Sequence, residues 1–271
     1  MFHLIAFSCR KPVLEFETAS LIVSIDVDVG SEEVGEKNGG SNDRNVHNFL
    51  TERAVGRIEE QVVPLLVQAF DEEELPVTFA VRGQSAEVEN SILNPILEAS
   101  TRHDIGAHGY SHKVFTVLSE LEAEKELSLI STGMRKFGII PKSFVFPKNE
   151  VSHLPLLEKH EYLSFRGRGE FLRDGMYVKK YGNLFDVHPS LYLEKFYDLA
   201  FSKRIIDLAV RLRSPFHVWF HPWNLGNSPE VAAKRVTKVL LPLIRHAKEK
   251  KKHGMLQFET MRSIAEKCGN R

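Results

Sequence analysis

Two rhythms of apolar and polar positions take turns along this chain. Short apolar runs rich in β-branched residues are followed by longer stretches whose apolar residues recur every three or four positions. That alternation predicts strands interleaved with helices. The clearest run is 20–26 (SLIVSID), apolar enough for a strand buried on both faces of a parallel sheet. Similar runs predict strands at 76–81, 104–107, 143–146, 162–165, 184–187, 216–220 and 255–258. Helical spacing covers 51–74, with Pro64 as a kink or break, and then 92–100, 119–136, 154–159, 194–213, 229–252 and 260–267. Ser119 followed by Glu122 has the form of a capping box, and Gly138 stops that helix. The glycine-rich segment 29–45 is too long for a turn, and loops of that length usually carry function or move.

No internal repeat and no Pro/Ser-rich linker divides the chain, so it reads as an extension over 1–19 and one domain over 20–271. About seven parallel strands, each followed by a helix, predict an α/β architecture. A closed barrel and an open doubly wound sheet both satisfy that count. In either, ligands gather at the carboxyl ends of the strands.

Composition narrows the picture. The 271 residues carry 36 Lys and Arg against 36 Asp and Glu, a balance that gives no support to nucleic acid or an anionic membrane surface as partner. The N-terminal apolar stretch is broken by His3 and is too short for a signal sequence or a membrane span, so the reading is cytoplasmic. Cys9 and Cys268 form no closely spaced metal pair and are expected as free thiols. Twelve histidines justify a search for metal ligands.

The unusual polar residues fall where predicted strands end. Asp26 and Asp28 close the first strand, and Asp26 interrupts an apolar run, where a charge needs a partner. His108 and His112 follow the third strand in GAHGYSH; a helical segment would put both on one face at a spacing suited to one metal ion. Pro147, Lys148 and Asn149 follow the fourth strand, His188 follows LFDV, and His221 follows FHVWF with Trp223 two residues on. Each has an ordinary alternative: a turn aspartate, a surface histidine pair, a core histidine or a buried tryptophan.

The order of these motifs resembles the polysaccharide deacetylases (the NodB-homology, family-four carbohydrate esterases), from about residue 20 to the C-terminus. SIDVD resembles the family's apolar strand ending in two aspartates. PVTFAVRGQ resembles its threonine-phenylalanine strand. His108 to His112 resembles the histidine–hydroxyl–x–x–histidine motif with Gly109 in the hydroxyl position, and VWFHP and MLQFETM resemble the last motif and last strand.

The resemblance implies a single-domain distorted (β/α) barrel. It implies Asp28, His108 and His112 as ligands of a divalent metal ion, zinc foremost, with Asp26 as general base and His221 as general acid. Two departures stand out. No arginine occurs in 144–149, so Lys148, or Arg166 and Arg168, would have to replace it. The fourth motif is not recognisable, and His188 lies in that region. Pro147, Lys148, Asn149, Arg166, His188 and Trp223 are the expected substrate contacts, with a backbone N–H near Asn149 for the oxyanion.

The implied activity is hydrolysis of an N-acetyl or related acyl group on a sugar or glycan precursor. A non-sugar amide or cyclic imide is the alternative substrate, and a catalytically inactive glycan-binding barrel the alternative class. The partner is thus a small molecule or glycan. The sequence is silent on oligomeric state.

Overall fold

The computed structural model describes residues 14–28, 52–84, 92–168, 175–193, 199–226 and 228–270. The expected loop 29–45, Cys9 and the start of the helix expected from 194 lie outside them. Among the described residues, ten strands form one sheet that is parallel except at one hairpin. In chain order they are β1 (Ala19–Val27), β2 (Thr78–Val81), β3 (Asp104–Ala107), β4 (Ser143–Val145), β5 (Ser164–Arg166), β6 (Val178–Tyr181), β7 (Leu184–Val187), β8 (Leu191–Tyr192), β9 (Pro215–Phe220) and β10 (Leu256–Glu259). The helices are α1 (Glu52–Glu72), α2 (Leu93–Leu97), α3 (Glu120–Arg135), α4 (Leu154–Lys159), α5 (Leu199–Leu212), α6 (Pro229–Arg235), α7 (Leu241–Lys252) and α8 (Met261–Gly269).

The sheet runs β6-β7-β5-β4-β3-β2-β1-β9-β8 and curls into a distorted barrel. β1 is its axis. One edge pairs with β9 over 20–25; the other pairs first with β10 over 19–22 and then with β2 over 24–27. A strand paired on both edges and covered on both faces must be apolar nearly throughout, which is why SLIVSID announced itself.

Period-two alternation sorts β1 between two cores. Leu21, Val23, Ile25 and Val27 pack outward under the helices, in the larger cluster that also takes Phe79, Val81, Phe144, Phe146, Phe216 and Phe220. Ile22 points the other way, into a cluster with Ala80, Val145 and Val187 that α8 plugs with Met261, Ile264, Ala265 and Cys268. Asp104 ties down that plug: its Oδ2 accepts from Thr78 Oγ1, Ser143 Oγ and the Arg262 amide that opens α8. The curled sheet therefore has an apolar, plugged end. The next inward residues of β1 and its extension, Ser24, Asp26 and Asp28, climb toward the other end.

Several expectations are adjusted. α1 continues through Pro64, which sits on the exposed face where a lost N–H bond is cheap. The helix expected over 229–252 is interrupted by a π turn over Val236–Leu240 just ahead of Pro242, whose missing N–H cannot continue the regular ladder. β6 and β8 were not legible: the first carries two adjacent lysines and the second has two residues. The capping box at Ser119 and Glu122 is formed, and Gly138 ends that helix at φ 71°. Cys268 is buried on the core face of α8. Among the described residues, no helix is long and apolar enough to cross a membrane.

Candidate metal and catalytic centre

Asp26, Asp28, His108, His112 and His221 converge at the carboxyl ends of β1, β3 and β9. His108 anchors the geometry. Its Nδ1 lies 2.8 Å from the Val145 carbonyl, which can only accept, so the ring hydrogen sits on Nδ1 and Nε2 presents a lone pair. That lone pair faces Asp28 Oδ1 at 3.3 Å, and His112 Nε2 lies 3.6 Å from the same oxygen.

The three ligand atoms lie within 4.8 Å of one another, and Asp28 Oδ1 is buried with no hydrogen-bond partner. Three lone pairs crowded on one point repel unless a cation lies among them. Burial, partly offset by the charges of Asp26 and Asp28, holds His108 down at about 4; burial and then the charge of Arg82 hold His112 at about 3. Both rings are therefore neutral near pH 7, the state a metal requires. Two imidazoles and a carboxylate are a donor set suited to a divalent transition ion. The residues present fit such an ion.

His108 and His112 meet on a loop, and the helix considered from their spacing is absent. Gly109 (φ 70°) and His112 (φ 61°) are both left-handed, which folds the chain back within four residues. Glu126 of α3 holds that loop. Its Oε2 accepts the amides of Tyr110 and Ser111 at 3.0 and 2.9 Å, and its Oε1 accepts from Ser111 Oγ at 2.6 Å. Asp28 is fixed through its backbone: its amide donates to Glu59 Oε1, and Arg82 Nη1 donates to its carbonyl.

Asp26 is gripped by Arg166, whose Nη1 and Nη2 reach Oδ1 and Oδ2 at 2.7 and 2.5 Å. Burial alone would raise this carboxyl. The guanidinium overrides burial, and Asp26 lies well below the ordinary carboxylate range. Asn149 Oδ1 accepts from Arg166 Nε and Nη2, and Lys148 and Asn149 both adopt left-handed φ, at 56° and 55°, to bring it there. Among the substitutes considered for the absent arginine, Arg166 is the one on Asp26. Arg168 is an exposed partner of Glu150.

His221 Nε2 faces Asp26 Oδ2 at 3.7 Å and Asp28 Oδ2 at 3.9 Å. Its ring stacks on Trp223 at 4.1 Å, and its amide is held by Asn224 Oδ1 at 2.7 Å.

The expected substrate contacts divide. Arg166 is 0% exposed and faces a carboxylate, and Trp223 is buried beneath His221, so both support site residues from behind. His188 is buried too, stacked on Tyr177 and 3.4 Å from Asp186, outside the group of five. Pro147 packs under Gly109, where an added Cβ would come within 3.1 Å of its ring. The Asn149 amide, the region expected to supply an oxyanion donor, is already bonded to the Phe146 carbonyl.

The residues the sequence reading missed are Ser24, Glu59, Arg82, Glu126 and His217. Two of them had a signal. Ser24 precedes Asp26 and Asp28 at period two, and His217 and Trp219 precede His221 likewise, so each set shares one face of its strand.

Residues 55–162 match the family model described as polysaccharide deacetylase. A peptidoglycan deacetylase of Helicobacter pylori is 28% identical over 142 residues, 51% of this chain and 45% of that protein, so the likeness spans about half of each. Among solved structures, a candidate polysaccharide deacetylase of Mycobacterium smegmatis superposes with a TM-score of 0.73 at 19% identity, covering 95% of this chain and 93% of that one. The Puue allantoinase superposes at 0.65 with 15% identity, over 97% and 95% of the two chains.

A curled, mostly parallel sheet with this polar centre at its carboxyl ends defines a distorted α/β barrel, the fold shared with those solved structures. The segment 55–162 is thus similar to the polysaccharide deacetylases in sequence.

Proposed function

We propose that the protein is a metal-dependent hydrolase that removes an N-acetyl or related acyl group from a sugar or glycan precursor. One observation carries the reading: the lone pairs of Asp28, His108 and His112 converge beside an ionised Asp26 and the ring of His221. Asp28, His108 and His112 would hold the ion, and zinc suits two imidazoles and a carboxylate. When bound, such an ion supplies Lewis acidity, polarising an acyl carbonyl and making water acidic enough to attack near neutral pH.

The remaining work falls to the chain. Asp26, kept ionised and aimed by Arg166, takes the proton that the attacking water gives up. His221 hands a proton to the departing nitrogen or oxygen, since an unprotonated amine leaves poorly. Trp223 holds the ring by stacking, and Asn224 fixes the backbone beneath it. Assigning base and acid to two groups in different surroundings, one locked to a guanidinium and one stacked on an indole, keeps the two roles separate.

A non-sugar amide is the second reading. Its support is the allantoinase fold likeness, which extends over nearly the full length of both chains. The same groups would serve it.

The test is elemental analysis of the purified protein beside its His108→Ala/His112→Ala variant, with acetate release from N-acetylglucosamine oligomers and ring opening of cyclic imides assayed on both. About one divalent ion per chain, lost with activity in the variant, is the expected result. Failure to bind zinc even when it is supplied would remove the mechanism.

A further inference from the structure

Arg166 can only donate, through five N–H hydrogens. The structure gives each of them a partner. Nε reaches Asn149 Oδ1 at 3.1 Å; Nη1 reaches Asp26 Oδ1 at 2.7 Å and Ser24 Oγ at 3.1 Å; Nη2 reaches Asp26 Oδ2 at 2.5 Å and Asn149 Oδ1 at 2.9 Å. The guanidinium lies over the Trp219 ring, Cζ 4.2 Å from the centroid.

The Val187 carbonyl fixes the direction of everything in front of it, because a carbonyl can only accept. With the single ring hydrogen of neutral His217 on Nδ1, Nε2 is a bare lone pair. Ser24 Oγ, 2.8 Å away, donates its hydrogen to Nε2 and accepts from Arg166. The ring hydrogen lies on Nδ1 and is donated to the Val187 carbonyl at 2.9 Å. Ser24, Arg166 and His217 are all 0% exposed, so water cannot replace a missing member. Burial, and then the positive charge of Arg166, push His217 down to about 3, which keeps the ring in the neutral form this direction demands.

Topology gives the chain of bonds its purpose. Ser24 is on β1, Arg166 ends β5, His217 is on β9 and Val187 ends β7. The His217 side chain spans from β9 to β7, the region where the strand order ends without closing. A guanidinium has a fixed planar fork, so orienting one edge orients the other.

We propose that Ser24 and His217 are positioning residues: the run Val187 carbonyl–His217–Ser24 sets the rotation of Arg166 and, through it, the aim of Asp26. The inference rests on the hydrolase reading for its consequence, but its hydrogen-bond direction stands apart from any substrate.

The first test uses that independence. Nitrogen-15 histidine NMR of the zinc-loaded protein at pH 7, with His217→Gln to assign the resonance, should show His217 neutral, with the proton on Nδ1 and Nε2 bare. A proton on Nε2, or an imidazolium, overturns the proposal whether or not the protein is a hydrolase. The second test measures acetate release from N-acetylglucosamine oligomers. Ser24→Ala and His217→Asn should lower kcat about 10- to 100-fold with KM and bound zinc unchanged. His217→Gln, whose Oε1 can accept from Ser24 where Nε2 did, should recover most of the loss. Equal losses in the Asn and Gln variants, or a loss that follows zinc content or KM, would reduce both residues to packing and overturn the assignment. If wild-type protein releases no acetate, the sugar-deacetylase reading fails, and the tautomer alone decides the bonding.

Discussion

Arg166 closes on both carboxylate oxygens of Asp26 from a strand end 140 residues further along the chain, and neither side chain is more than 3% exposed. A pair this dry is held by mutual dependence. Removing one partner strands the other's charge in a place water does not reach. Arg166→Met should therefore cost on the order of 3–5 kcal/mol of stability by urea unfolding at pH 7. Arg166→Lys should fold better yet stay inactive, because three ammonium hydrogens cannot replace five in a planar fork. A loss below about 1 kcal/mol for the methionine variant would place the pair among weak surface contacts and undo this account.

Glu126 holds the loop between the two histidine ligands and so sets where His112 stands. It takes three hydrogen bonds from the loop that joins the two histidines. Glu126→Gln replaces one acceptor oxygen with a donor facing donors. Zinc affinity, measured by competition with a chromogenic chelator, should fall about 10- to 100-fold, the usual effect of an outer partner. An affinity within twofold of wild type would mean that Gly109 and its packing on Pro147 set the loop unaided.

Acid should destabilise the metal-free protein in a defined window. His217 and His112 lie at about 3 in the fold, and His108 and His103 at about 4, against 6.5 for an ordinary histidine; burial is the leading cause for each. Between pH 6.5 and 4 the unfolded chain therefore binds protons that the folded chain refuses, and stability falls as pH falls. Each such ring contributes a slope of roughly 1 kcal/mol per pH unit within the window. Asp26 has the opposite kind of partner but the same sign: its value is lowered, so its contribution holds above 3.8 and fades below. Urea midpoints in EDTA should be level from pH 7 to 8 and drop steadily from 6.5 to 5. A profile still level at pH 5 would mean that these rings are solvated.

The frame was legible where local pattern and tertiary role agree. β1 must be apolar on both faces, so SLIVSID could be nothing else, and Ser119 with Glu122 carries its cap in sequence. Asp26, Asp28, His108, His112 and His221 stood out because polar groups at the ends of apolar strands need a reason. Ser24 and His217 did not, since a serine and a histidine inside a strand each pass for ordinary residues until the register sets them 2.8 Å apart. Arg166 was named both as a substrate contact and, beside Lys148 and Arg168, as a substitute for the absent arginine, with nothing in the sequence to choose among the three. Only the curl of the sheet turns its side chain inward onto Asp26. The loop that pairs His108 with His112 was unreadable for a different reason: a left-handed histidine is a strained choice that local propensity argues against.

The two aspartates are the sharpest place to divide metal binding from proton transfer. They sit two residues apart on the same face of one strand, but their partners differ. Asp28 Oδ1 faces two imidazole lone pairs and accepts no hydrogen bond. Both oxygens of Asp26 are occupied by a guanidinium, which no ligand-binding role would require. Asp28→Asn replaces an anionic ligand with a neutral amide, so bound zinc and activity should disappear together. Asp26→Asn keeps the ligand set whole. Its bound zinc should remain near one per chain while kcat falls about 100-fold or more, the size of a lost general base. Elemental analysis and acetate release on both variants separate the cases. If Asp26→Asn loses the metal and Asp28→Asn keeps it, the two roles are exchanged, and Arg166 is then the partner of a ligand.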